Sequence, residues 1–147
     1  MDASSEIRRR NVELTRLGFD AYDAGDFETL RQLLHPDLEL HADGDLINSG
    51  DFHGHEEFFR WNAQWSEAWG EFRNEPRSVE ALGDRHIVAE VHQVARGAGS
   101  GVGVEMDVCW ALEVDGGKVR RMHIYTDRER ALAAVERWRA ERESGDA

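Results

Sequence analysis

At 147 residues, with a formal net charge of -12, 40% hydrophobic and 33% charged residues, the chain has the size of a single domain with one core, and its charge opposes nucleic-acid phosphates. No apolar run is long enough to cross a bilayer. A single cysteine, Cys109, allows neither an intrachain disulfide framework nor a cysteine-rich zinc site. The first residues lack a basic region followed by an apolar stretch, so no secretory signal is read and the cytoplasm is the expected location.

In chain order, Ile7, Leu14, Leu17 and Ala21 recur at helical spacing from Ser5 to Ala24, and Gly25 offers the left-handed conformation that ends a helix. Asp26 can cap a second helix with Phe27, Leu30, Leu33 and Leu34 inward, broken by Pro36, which lacks an amide hydrogen. Leu38 and Leu40 alternate with Glu39 and His41 in a short strand, and a polar, mobile loop is expected from Asp43 to His53. A third helix follows Gly54, with Phe58, Trp61, Trp65 and Trp69 on one face. Four strands are then predicted, Phe72 to Leu82, His86 to Arg96, Val104 to Val114 and Val119 to Thr126, as an antiparallel meander. Asp127 caps a last helix holding Leu132, Val135 and Trp138, and Glu143 to Ala147 reads as a frayed tail. Helices gathered on one side of a curved sheet make the fold α+β, one domain over residues 1–147 with an ordered core of about 5–141.

Several local patterns carry a resemblance: Tyr22-Asp23-Ala24-Gly25-Asp26-Phe27 at the first helical corner, Pro36-Asp37-Leu38-Glu39 entering the first strand, Gly54-His55-Glu56 opening the third helix, Gly117-Lys118-Val119 at the last hairpin, and Tyr125-Thr126-Asp127-Arg128-Glu129-Arg130-Ala131-Leu132 leaving the last strand. In this order, over roughly residues 8 to 138, the chain resembles the SnoaL-like family of the nuclear-transport-factor-2-like superfamily. The resemblance implies a cone-shaped, mostly antiparallel sheet wrapped around three N-terminal helices, with a C-terminal helix added, a small-molecule pocket and a homodimer. It supplies no catalytic set. The places of the ketosteroid isomerase groups fall near Ala42, Gly18 and Trp110, and those of the limonene-epoxide hydrolase groups near Val91, Gln93 and Ile124, none of which suits that chemistry.

Side chains two apart in a strand share a face. Val104, Met106, Val108, Trp110 and Leu112 therefore line one side, opposite Glu105, Asp107, Cys109, Ala111 and Glu113, and a slip of one residue would bring Asp107 inside. A tight turn at Asp115 to Gly117 is expected to set Trp110 against Met122, Val108 against Ile124 and Cys109 against His123. The expected ligand-binding wall is Phe58, Trp61, Asn62, Trp65, Val91, Gln93, Met106, Val108, Trp110, Met122, Ile124 and Thr126, with Asn62, Gln93 and Thr126 as its polar points.

His41 and Asp43 are the candidate catalytic groups, because an imidazole beside a carboxylate can exchange protons near neutral pH; an exposed strand end is the plainer reading. The histidines are too scattered for a metal site, and no cofactor is expected. Cys109 and His123 read as a packing pair on the outer face, where Arg121, His123 and Tyr125 beside Glu105 and Asp107 could join two copies. The sequence thus points to a binder of a small hydrophobic molecule, either a divergent isomerase, cyclase or hydrolase or a protein without chemistry. The alternative is a dimerisation module whose cone is filled by contact among Trp110, Met122 and Trp65.

Overall fold

The structure is a computed structural model and describes residues 3–46 and 48–145. Its elements are α1 (Ala3–Ala24), α2 (Phe27–Leu33), β1 (Leu34–Ala42), β2 (Gly50–His53), α3 (Gly54–Ala68), β3 (Trp69–Leu82), β4 (His86–Gly97), β5 (Gly103–Asp115), β6 (Lys118–Tyr125) and α4 (Arg128–Gly145). The six strands form one curved, unclosed sheet in the order β2-β1-β6-β5-β4-β3, with β1 and β6 parallel and all other neighbours antiparallel. Strands β3 to β6 are the expected meander. The first three helices cover the inner face, and α4 packs on the outer one through Ala131, Ala134, Val135 and Trp138 against Val88, Cys109, Ala111 and Tyr125. Among the described residues no helix is long and apolar enough to cross a membrane.

Caps and turns follow the local chemistry. Gly25 ends α1 at φ 72°, and Asp26 caps α2 by accepting from the Thr29 amide at 3.2 Å. Asp127 accepts from the Arg130 amide at 2.9 Å at the start of α4. That helix continues through Gly145, so the expected frayed tail begins within it; residues 146–147 lie outside those described.

Four expectations need correction. On α1 the buried stripe is Asn11, Thr15 and Phe19 with Ala21, whereas Ile7 and Leu17 are exposed. Polar residues can take the inner face here because each is satisfied: Asn11 Nδ2 donates to the Asp84 carbonyl at 2.8 Å and Thr15 Oγ1 to the Asn11 carbonyl at 2.8 Å. On α2 Phe27 faces solvent, where its ring meets Phe59 edge-on. The loop expected between β1 and α3 contains β2, which pairs Leu40 with Phe52 and Ala42 with Gly50; residue 47 lies outside those described. In the last hairpin, Gly116 and Gly117, both at positive φ, form a two-residue turn that pairs Asp115 with Lys118. A bulge between Glu113 and Val114 adds one more residue of offset. The register therefore moves by two: Trp110 faces Ile124, Leu112 faces Met122, Cys109 faces Tyr125 and Ala111 faces His123. A two-residue shift preserves parity, so every side chain keeps its predicted face.

Candidate functional site

The inward parity positions of β4, β5 and β6 meet side by side, Ala89 with Trp110, Val91 with Val108, Gln93 with Met106, and Trp110 with Ile124. Between this wall and the helices lie two adjoining chambers. The first, about 50 Å³, is lined by α1 and α2 residues such as Thr15, Phe19 and Leu30, by Phe58 of α3, and by Leu112 and Met122. The second, about 30 Å³, is lined by Leu46, Asn48, Trp65, Phe72, Asn74, Gln93, Met106, Val108 and Ile124. Tyr22, Trp61 and Trp110 border both and form the partition. Each chamber has room for a few water molecules. Met122 lines the first chamber, Trp65 the second and Trp110 both.

Polar groups at this boundary are few and specific. The Trp110 indole Nε1 is buried without a protein partner, as are Asn62 Oδ1 and Trp69 Nε1 away from the chamber walls, a state that costs roughly 1–3 kcal/mol per group unless a water or ligand supplies the bond. Trp61 Nε1, by contrast, donates to the Asn48 carbonyl at 2.9 Å. Tyr22 is the one ionisable side chain that lines either chamber among the described residues. Burial, followed by the neighbouring Asp23 charge, raises its pKa well above the ordinary phenol value, so it stays neutral. Behind the second chamber Asp23 accepts from Asn74, and Asn74 accepts from Gln93.

Of the sequence-predicted wall, Phe58, Trp61, Trp65, Gln93, Met106, Val108, Trp110, Met122 and Ile124 line one or both chambers. Val91 and Asn62 are buried in the core without lining either. Thr126 lies outside, because β6 ends at Tyr125 and the Thr126 hydroxyl turns to Arg130 at 2.7 Å. His41 and Asp43 lie outside as well. His41 alternates with the core-facing Leu40 and Ala42, so its ring sits on the outer face, with Asp51 at 2.7 Å, Asp43 at 3.3 Å and the His123 ring centroid at 5.0 Å. Asp43 is further tied to Arg130. This is a charge cluster at a strand end, and neither residue lines a chamber, although the Asp43 backbone bonds to Ile124 and Leu46, which do. Asp107 also stays outside, where it and Glu105 bracket His92 at 2.8 and 2.7 Å. Among the described residues no three His, Cys, Asp or Glu side chains are grouped to hold a metal ion.

The residues missed are those of α1 and β3, above all Tyr22, Asp23 and Asn74. Tyr22 lies seven residues beyond Thr15 and three beyond Phe19, so a stripe drawn through positions 11, 15 and 19 would have pointed to it.

Outside, α4 covers the Arg121, His123 and Tyr125 part of the patch expected to join two copies, while Glu105 and Asp107 stay exposed. Tyr125 is buried, the His123 ring meets Trp138 edge-on at 4.8 Å, and Arg121 lies over Trp138 at 5.4 Å. Cys109 is buried beneath the same helix, and burial, helped by the Glu90 charge, pushes its thiol up to about 11. Iodoacetamide is therefore expected to leave Cys109 unmodified in the native protein at pH 8, over a time in which the urea-unfolded chain is fully alkylated, as read by intact mass. Rapid native labelling would mean that α4 does not cover this face.

The model of the SnoaL-like domain family matches residues 16–122. No curated protein matches the chain. Among solved structures, a protein from Jannaschia sp. named as a SnoaL-like polyketide cyclase is similar at 22% identity and TM-score 0.73, over 92% of this chain and 94% of that one. TerC, co-crystallised with polyporic acid, is similar at 22% identity and TM-score 0.71, over 86% of this chain and 96% of its own. A protein of ketosteroid-isomerase-like fold from Catenulispora acidiphila, in complex with trimethylamine, is similar at 16% identity and TM-score 0.68, over 82% and 90% of the two chains.

Proposed function

The chain belongs to the SnoaL-like domain family, and from that premise we propose that it binds a small, neutral, hydrophobic molecule in the cone. The observation that carries this reading is Trp110: its indole N–H is buried without a partner on the partition between two apolar chambers. A ligand that displaces the partition, joins the chambers and accepts a hydrogen bond from Trp110 would satisfy that group while filling both gaps. Neutrality follows from the walls, which carry no carboxylate, imidazole, guanidinium or amine among the described residues. A charged occupant would lose its hydration without an opposite charge to replace it. That TerC was crystallised with polyporic acid and the Catenulispora protein with trimethylamine supports occupancy of this fold by small molecules.

The walls favour binding over acid-base catalysis. A cyclase or isomerase reading, which the name of the Jannaschia protein suggests, would have to move protons through Tyr22, the one ionisable group present. Loss of any turnover in Tyr22→Phe with binding retained would select that reading.

The test is a thermal-shift and tryptophan-fluorescence screen with aromatic polyketides, terpenoid epoxides and steroids. A ligand at 100 times its Kd should stabilise by about 2.7 kcal/mol, and its effect should weaken in Trp110→Phe. Silence across the panel would leave the cone as a packed core and make the domain an interaction module. With α4 on part of the outer face, a second copy would pair on the strip of β3, β4 and β5 around His92, and sedimentation equilibrium decides whether it does.

A further inference from the structure

A carboxylate only accepts hydrogen bonds, whereas a primary amide donates through nitrogen and accepts through oxygen. Asp23, at the end of α1, accepts twice from Asn74 of β3: Oδ2 from the backbone N–H at 2.9 Å and Oδ1 from the side-chain Nδ2 at 3.0 Å. Asn74 can stand only one way round against that carboxylate, amino group towards Asp23 and carbonyl away. Its Oδ1 in turn accepts from Gln93 Nε2 of β4 at 3.0 Å, so the Gln93 amide is also fixed. Gln93 is 8% exposed and lines the second chamber. With Nε2 committed to Asn74, Oε1 is the remaining polar atom of this chamber-lining side chain. The ladder therefore ends at a side chain of the chamber wall, with its oxygen as the atom left for a ligand. Trp110, whose Nε1 is a buried donor without a protein partner, lines the same chamber. The Tyr22 hydroxyl can rotate to donate or accept and so imposes no polarity of its own.

Resting on the reading that the cone holds a small neutral molecule, we propose that Gln93 Oε1 and Trp110 Nε1–H select a ligand that carries both a hydroxyl and a carbonyl, a neutral hydroxycarbonyl compound built on an apolar ring or chain. Asp23 is the positioning residue. It touches no ligand, but through Asn74 it decides that Gln93 presents oxygen rather than nitrogen. An analogue whose hydroxyl is replaced by methyl would leave the Gln93 oxygen dry and unpaired, and should bind at least about tenfold more weakly.

Three single-ring probes separate the contributions: 4-hydroxyacetophenone, 4-methylacetophenone, which lacks the donor, and 4-ethylphenol, which lacks the carbonyl. Their Kd values are measured by calorimetry on wild type, Asp23→Asn and Gln93→Met, with urea midpoints to establish that the variants fold. Wild type is expected to prefer the hydroxyketone over its methyl analogue by about tenfold or more. Gln93→Met should reduce that ratio to within about threefold by removing the acceptor. Asp23→Asn, whose own amide can face either way, should lower it as well, leaving the hydroxyketone's advantage over 4-ethylphenol unchanged because Trp110 is intact. Equal binding of hydroxyketone and methyl analogue to wild type, or an unaltered ratio in both folded variants, overturns the polarity assignment while the chamber reading stands. Failure of wild type to bind any of the three at millimolar concentration overturns the chamber reading and this inference with it.

Discussion

Replacing Glu113 by alanine is expected to lower the unfolding free energy by about 3–5 kcal/mol, because it leaves the groups around a buried carboxylate without their partner. Glu113 points to the outer face of β5 beneath α4, with its side chain 6% exposed, and Oε2 accepts from His86 Nε2 at 3.0 Å. Arg121 Nε lies 3.7 Å from the other oxygen, and its second arm reaches Glu141 of α4 at 3.2 Å. The Trp138 ring stacks on His86 and sits under the Arg121 guanidinium. The carboxylate thus joins the sheet to the helix. Urea denaturation measures the loss; a loss below about 1 kcal/mol would mean the pair behaves like an exposed one.

The same layer should be acid-sensitive. Burial alone would raise the Glu113 pKa, but the His86 hydrogen bond and the Arg121 charge outweigh it and hold the carboxyl below its ordinary 4.5. Its folded pKa is depressed, so its contribution is present above 4.5 and is lost as pH falls through the folded value. His123 is also depressed, here chiefly by burial, against the opposing pull of Glu39. Its contribution is present above 6.5 and fades below that, because the unfolded chain takes up the proton first. Stability should therefore decline in two windows, and His123→Gln should flatten the upper one.

Parity within strands was legible from the sequence because the strand period of two is strict, and a two-residue register error leaves it intact. That is why six wall residues on β4, β5 and β6 reach the chambers. Helix α1 was misread for the opposite reason. Its inward stripe contains Asn11 and Thr15, whose burial depends on hydrogen bonds to Asp84 and within the helix that hydrophobicity does not report. Tyr22 and Asp23 went unseen with that stripe. Asn74 was invisible because its role depends on a carboxylate 51 residues away. His41 and Asp43 were composed like a catalytic pair, but parity alone puts His41 on the face opposite Leu40, and tertiary contact then ties Asp43 to Arg130 of α4. Composition suggests chemistry; the side of the sheet decides whether it can reach a ligand.

Trp110→Ala should have a comparably large effect on the other face. Removing a buried indole at the partition joins the two chambers and is expected to cost about 3–5 kcal/mol, since the surrounding side chains collapse only in part. The resulting cavity should accept a free aromatic molecule and recover part of the lost stability, about 2.7 kcal/mol at 100 times its Kd. Which aromatic rescues best tests the state of the missing group. Trp110 Nε1 has no protein partner among the described residues, so indole should hold no advantage over indene, which has the same shape without the N–H and loses less hydration on entry. Thermal shifts of Trp110→Ala with the two compounds give the comparison directly. Indene matching or exceeding indole would mean the protein supplies no acceptor for the donor, which is then available to a ligand. Indole ahead by tenfold or more would mean the protein already holds an acceptor for it, and the role given to Trp110 in recognising a carbonyl would fall.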